Sequence, residues 1–289
     1  PQVVLRKVDG EEILARIEAH GVTLLNGAPA VVAAILDAAA ARKAEGRPIP
    51  GAGTVRMIVA GAPPPTALIE RVETDLGWEF IQIYGLTETS PILTMNRHRK
   101  EWDGLGAAER AALLNRAGAP VIGVRVKVDD EGEVLARGNE VFEGYWEQPV
   151  ETAKAIVDGW FHTGDGGHMD GAYVVIADRK KDVIISGGEN VSSIEVEDAL
   201  FQHPAVVEAC VIGVPDERWG ETVKALVVLR EGQSVTEGDL IEFCRGRLAH
   251  FKCPTSVEFR TELARTATGK LQKFKLRQPF WEGREKLVN

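Results

Sequence analysis

Between Val22 and Gly85 the chain alternates short β-rich runs with longer helical ones. "VTLLNGAP" precedes an alanine-rich helical stretch to about Glu45, "VRMIVAGA" precedes a triple proline and "TALIERVETDLG", and "EFIQIYG" follows. Proline can open a helix but not sit inside one, so each break separates two elements. Strand, helix, strand in runs of this length calls for βαβ crossovers and a sheet with parallel members, so the expected class is α/β. Such sheets take ligands at the carboxyl ends of their strands, which directs attention to whatever follows each run. Ahead of them, "PQVVLRKVDGEEILARIEAHG" reads as a strand and then a helix entered through Asp9, with acidic residues in its first turn.

The texture changes twice further along. Beyond Pro120, "VIGVRVKVDDEGEVLARG" reads as two short strands around a "DDEG" hairpin loop, with "GYW" as a further short strand in a small β subdomain. From Asp178, "DVIISGGENVSSIEVEDALFQHP" reads as strand, glycine turn and helix. "VVEACVIGVPD" and "TVKALVVLREG" read as two more strands, and "VTEGDLIEFCRGRLAH" as a helix with Thr236 as its cap. The domain expectation is 1–177, with the β subdomain at about 120–177, and 178–289.

Composition narrows the function classes. At 289 residues, 44% hydrophobic and 27% charged, the chain suits about two globular domains and neither disorder nor collagen. No apolar run approaches the roughly 18 residues that span a bilayer. A net charge of −9 argues against general nucleic-acid binding. Residues 251–289 nevertheless carry nine Lys/Arg against four Asp/Glu, read either as a solvated basic tail or as a surface that meets an anion. The three cysteines, Cys210, Cys244 and Cys253, lack metal-ligand spacing, which favours reduced structural thiols and a cytoplasmic location.

Several short stretches offer chemistry. "TATGKLQK" places Lys270 after Thr-Gly, but Ala264 and Leu271 stand where a G-x-x-x-x-G-K-[ST] phosphate loop needs Gly and Ser/Thr. Lys270 is instead a long cation beside a flexible glycine, able to reach a site built elsewhere. "VAGAPPP" (59–65) and "IYGLTETSP" (83–91) put glycines at strand ends, where backbone can approach a flat ligand or a phosphate. Thr87 and Glu88 add a hydroxyl and a carboxylate suited to phosphate and Mg²⁺, although each cluster alone is more often only a turn. In "GWFHTGDGG", Asp165 between glycines can accept from ribose hydroxyls, yet a turn or cap aspartate is the commoner reading. His162 reads as a packed or exposed turn residue.

Taken together and in order, "IYGLTETSP", "GEVLARGNEVFEGYW", "GWFHTGD", "DRKKDVIISGGENVSSIEVE", "LAHFKCP" and "TATGKLQK" resemble the adenylate-forming superfamily of acyl-CoA synthetases, peptide-synthetase adenylation domains and luciferases. The resemblance runs from about Val3 to Leu276. "GGENVSSIEVE" and "GKLQKFKLR" look most like the acyl-CoA synthetase branch for fatty or related carboxylic acids. It implies the second half of a large N-terminal α/β domain with its β subdomain, followed by a mobile α+β C-terminal domain turning about a hinge at Asp178.

The implied activity is an ATP-dependent carboxylate–CoA ligase, which forms an acyl-adenylate and pyrophosphate and then acyl-CoA and AMP. By the same matching Lys270 is the mobile adenylation lysine, which offsets charge built up as a carboxylate attacks the α-phosphate. Thr87 and Glu88 hold phosphate and Mg²⁺, and Asp165 with Arg179 hold the ribose. Gly61, Ala62, Pro63 and Tyr84 form the adenine slot, while Gly85, Pro91, Ile92 and the "LLNGAP" segment with Asn26 border the acyl group. Gly188 belongs to the glycine loop that shapes the CoA tunnel in the second pose. The partners implied are the acid, ATP and CoA, with self-association left open.

The chain departs from this pattern in lacking the family's "SGTTGxPKG" phosphate loop, expected before Pro1. That makes it the expected downstream part of a chain nearly twice as long, inactive alone. Ala264 where proline is usual and "HMDGAYVV" where "DGY" is usual are smaller departures. Two other readings stand beside the ligase: an enzyme loading a carrier-protein thiol, and a truncated module that only binds nucleotide.

Overall fold

The computed structural model describes residues 2–266 and 271–283. They form two compact units, one running through Thr163 and resuming over Gly167–Ile176, the other made of Gly164–Gly166 and the described residues from Ala177.

The first unit opens with α1 (Gly10–His20), whose N-cap Asp9 accepts from the Glu12 amide at 2.9 Å and whose C-cap Gly21 is left-handed. Residues 2–8 form no strand, contrary to the sequence reading. Val3, Val4 and Val8 stay exposed there, so β propensity without a paired edge made no strand. β1 (Leu24–Gly27), α2 (Pro29–Ala44), β2 (Arg56–Val59), α3 (Thr66–Thr74) and β3 (Glu79–Tyr84) follow, and β1, β2 and β3 pair in parallel. β4 (Thr94–Arg97), α4 (Ala107–Leu114) and β5 (Ala119–Pro120) complete a five-stranded sheet in the order β1-β2-β3-β4-β5, whose last two strands run antiparallel.

Its core joins Leu14 and Ile17 of α1, Ile35 and Leu36 of α2, Met57 of β2 and Ile69 of α3. Gly10 lets α1 and α2 meet closely, since a Cβ there would lie 2.0 Å from the Ala34 carbonyl oxygen. The buried guanidinium of Arg42 crosses the same helix pair to Glu11 and Glu18 at 2.9 and 3.2 Å, as a charge out of water requires.

A second sheet contains β6 (Arg125–Val128), β7 (Glu133–Arg137), β8 (Ile156–Val157), β9 (Trp160–Asp170) and β10 (Tyr173–Arg179), in the order β10-β9-β7-β6 with β8 on β9; α5 (Pro149–Ala155) precedes β8. The "DDEG" loop is a hairpin turn as read, closed by Asp129 Oδ1 accepting from the Glu131 and Glu133 amides. "GYW" is not a strand, and Asp165 lies inside β9 rather than in a turn. Gly167, two residues on, serves strand packing, since a Cβ there would lie 2.3 Å from the Val175 carbonyl oxygen.

The second unit is built on β11 (Ile184–Ser186), β12 (Glu189–Val191), α6 (Ser193–Phe201), β13 (Val206–Asp216), β14 (Gly220–Leu229), α7 (Glu237–Arg245), β15 (Ser256–Phe259) and α8 (Lys273–Trp281). Its sheet runs β12-β11-β14-β13, with β15 parallel to β14. Both faces of the β13–β14 pair are covered. Val211 and Ala225 pack with Val196 and Leu200 of α6 and Leu240 of α7, while Cys210, Ile212 and Leu226 pack with Leu276 and Phe280 of α8. This explains why "EACVIGV" reads as a nearly continuous apolar run. Thr236 caps α7, as its position suggested. Among its described residues the basic stretch 251–289 contains β15 and α8, and part of its charge is paired internally, with Lys273 on Glu197 and Arg277 near Asp182.

Candidate active site

Because β1, β2 and β3 are parallel, their carboxyl ends share one edge. The register aligns Gly27 with Val59 and Val59 with Gln82, and the Ala60 amide donates to the Gly27 carbonyl at 3.2 Å. Asn26, the Gly61–Ala62–Pro63 turn and the chain leaving Tyr84 therefore gather at one edge of the sheet, from segments far apart in sequence. Asn26, Gly61 and Ala62 are exposed, and Gly61 adopts φ +91°, which a side chain would resist.

Beyond β3 the backbone doubles back. A Cβ on Gly85 would lie 1.8 Å from the Pro91 carbonyl oxygen, and the Leu93 amide donates to the Tyr84 carbonyl at 2.8 Å, so Gly85, Pro91 and Ile92 meet at the neck of one loop. Buried Thr89 fastens the loop from inside, accepting from the Leu86 amide at 2.9 Å and donating to the Leu86 carbonyl at 3.0 Å. With Thr89 turned inward, Thr87 is exposed and Glu88 half-buried. Tyr84 rests against a cluster that includes Leu93 and Phe161.

Glu88 is tied to a loop that sequence reading had not assigned to the site. Its carbonyl accepts from the Phe142 amide at 2.8 Å, and its Oε1 accepts from the Tyr145 phenol at 3.1 Å. Burial first, and then the Glu88 charge, push the Tyr145 phenol above its usual range. "GYW" marked this stretch as part of a motif, but no local pattern assigns the tyrosine to Glu88.

The remaining expected residues lie in the second unit. Asp165 is buried in β9, and its Oδ1 lies 3.4 Å from Nε of Arg179 at the end of β10. Asp178 is buried, accepting from the Arg179 amide at 2.9 Å and from the Ser193 amide at 2.8 Å. Gly188, exposed with φ +87°, turns the hairpin between β11 and β12. Lys270 lies outside the described residues.

Two other features hold none of the expected site residues. A cavity of about 400 Å³ opens at the amino end of β3, lined by Ile69, Trp78 and Phe80 and crossed by the Arg97–Glu79 pair at 2.6 Å. Asp129, Glu133 and His162 bring metal-ligand atoms within 4.8 Å of one another, but the hairpin bonds to Asp129 and a 3.1 Å contact between His162 Nδ1 and Glu133 Oε2 account for that grouping.

Residues 2–146 match the AMP-binding enzyme family, and residues 195–270 match the AMP-binding enzyme C-terminal domain. The 2-methylpropanoate–CoA ligase CCL4 of Humulus lupulus is 45% identical over 95% of this chain and 51% of its own length. The 4-hydroxybutyrate–CoA ligase 2 of Metallosphaera sedula is 41% identical over 95% of this chain and 51% of its own. The crystal structure of the anthranilate CoA ligase AuaEII with anthranoyl-AMP superposes with a TM-score of 0.80 at 30% identity, over 94% of this chain and 52% of that one. The chain thus spans about half the length of the curated relatives it matches. On the strength of the first match, which covers half of its residues and the whole strand-end edge described above, the chain belongs to the AMP-binding enzyme family.

Proposed function

We propose that this chain serves an ATP-dependent carboxylate–CoA ligase. The acid's carboxylate attacks the α-phosphate of ATP, forming the acyl-adenylate and expelling pyrophosphate; the thiol of CoA then attacks the acyl carbon, forming the thioester and expelling AMP. The observation that carries this reading is the gathering of Gly61–Pro63 and Tyr84–Glu88 at the carboxyl edge of three parallel strands, within a segment that matches the AMP-binding enzyme family.

In this reading Gly61, Ala62 and Pro63 border the adenine beside Tyr84. Asp165 accepts from the ribose hydroxyls, Arg179 donates to them, and Thr87 donates to phosphate. Gly85, Pro91, Ile92 and Asn26 border the acyl group. Lys270 acts in adenylation, Gly188 borders the CoA channel, and Asp178 is the hinge. The donor set at Glu88 fits Mg²⁺, a hard cation that takes one or two carboxylates and fills its other positions with water and phosphate. Oε1 of Glu88 is engaged by Tyr145, which would leave the other carboxylate oxygen to hold the ion. When bound, Mg²⁺ supplies positive charge to the phosphates, while the side chains hold the acid and nucleotide in line.

The relatives named for 2-methylpropanoate and 4-hydroxybutyrate favour a small aliphatic acid within the wider class of fatty and related acids. Among the described residues no helix is long and apolar enough to cross a membrane, and the three buried, unpaired thiols suit the reducing cytoplasm. The test is pyrophosphate release by the complete enzyme across a panel of carboxylic acids, with CoA and a carrier protein offered in parallel. Acid-dependent release with thioester formation on CoA is expected, whereas release that ends only on the carrier thiol would replace the ligase assignment.

A further inference from the structure

Lys273 opens α8 with a side chain only 15% exposed, and its ammonium lies 2.8 Å from Glu197 Oε1, itself on a side chain 14% exposed. It also donates to the Ser193 hydroxyl, which donates in turn to Asp178 Oδ2. The same Asp178 oxygen accepts from the Ser193 amide at 2.8 Å, and Oδ1 accepts from the Arg179 amide at 2.9 Å. Arg179 Nε then stands 3.4 Å from Asp165. One bonded path therefore runs from Glu197 on α6, through Lys273 of α8, to the Arg179–Asp165 pair.

The stretch before Lys273 is also fixed. Arg265 and Leu271 form an antiparallel bridge, and the Gln272 amide donates to the Ala264 carbonyl at 2.9 Å. The three residues that follow Lys270 are thus held in succession, the third by its buried ammonium. Burial opposes that charge, and the Glu197 and Asp178 carboxylates outweigh it and push the lysine's pKa up. Stability alone does not call for such a pair, because apolar residues of similar volume serve as well or better in protein interiors.

We propose that Lys273 is a positioning residue for adenylation: through Ser193 it fixes Asp178 and hence the Arg179–Asp165 pair, and it anchors the chain directly after Lys270. The inference rests on the ligase reading above. Lys273 itself touches no substrate.

The test uses the complete enzyme and compares Lys273→Met, Lys273→Arg and the double variant Lys273→Met/Glu197→Met, whose apolar pair preserves packing without charge. Acid-dependent pyrophosphate release is measured apart from thioester formation on supplied acyl-adenylate. Lys273→Met should lose about 10- to 100-fold in adenylation, with KM for ATP raised, while the thioester step stays within about threefold. Lys273→Arg should recover most of the loss, and the double variant should melt like the wild type yet keep the defect. Normal adenylation in the double variant, or equal loss in both half-reactions, overturns the proposal. Hydrogen exchange over residues 177–182 tests the clamp without reference to activity. Protection there should fall in Lys273→Met while that of α7 holds, and unchanged protection would overturn the clamp. A wild type that releases no pyrophosphate with any acid would sink the ligase reading instead, leaving the exchange result to decide the clamp.

Discussion

The phenol of Tyr145 donates 3.1 Å to the Glu88 carboxylate across 57 residues of chain, and its ring packs edge-on against Phe142 at 4.8 Å. Tyr145→Phe keeps the ring and removes the donor. Losing one such bond costs about 1 kcal/mol, so the Mg²⁺ requirement for adenylation should rise roughly fivefold. Kinetics of the complete enzyme against Mg²⁺ concentration check this, and an unchanged requirement would detach Tyr145 from the site. Because the Tyr145 pKa is raised, this variant should delete a tyrosine that ionises above the ordinary phenol range in an alkaline titration.

Gly85 has no room for a methyl group, since a Cβ would meet the Pro91 carbonyl oxygen at 1.8 Å. Backbone cannot yield as a side chain can, so Gly85→Ala should destabilise the first unit by about 3 kcal/mol. Denaturant melting of this chain reads the loss directly. A variant as stable as the parent would mean that the 85–92 loop opens at little cost.

All three thiols are buried and unpaired, and burial pushes each of them up, Cys244 to about 11 with neighbouring Cys253 adding to it. None should be alkylated in the folded chain at about pH 8, and all three should react once it unfolds. A thiol raised by folding adds stability that is whole below the unfolded value, and for Cys244 that stability fades as pH rises from 9.0 toward about 11. Mass spectrometry after brief alkylation and melting across that window measure the two effects. Rapid labelling of Cys244 in the native chain would contradict both.

In the complete enzyme, Lys270→Ala should slow pyrophosphate release by about 100-fold or more, since a positioned cation at a developing negative charge is worth several kcal/mol. Thioester formation from supplied acyl-adenylate should be nearly unaffected. Separate assays of the two half-reactions decide this, and a shared loss would assign the lysine to binding in both.

Much of the sheet was legible because its signals are local. Gly and Pro breaks around the runs ending at Gly27, Val59 and Tyr84 forced crossovers, crossovers forced parallel strands, and parallel strands put their carboxyl ends on one edge. Asp9 and Thr236 could be read as caps because capping acts over three residues. Residues 3–8 were misread because a strand needs a partner that propensity cannot supply. "HTGDGG" was misread because glycine also serves strands packed close together, as Gly167 does against Val175.

The sequence by itself determined the alternation of elements, the strand-end glycines and the ordered motifs that resemble adenylate-forming enzymes, since each is written in contiguous residues. Only the tertiary structure decided that Tyr145 orients Glu88 and that Lys273 reaches Ser193 across 80 residues. A buried charge takes whichever partners folding brings within hydrogen-bond reach, and that choice leaves no periodicity or spacing in the chain.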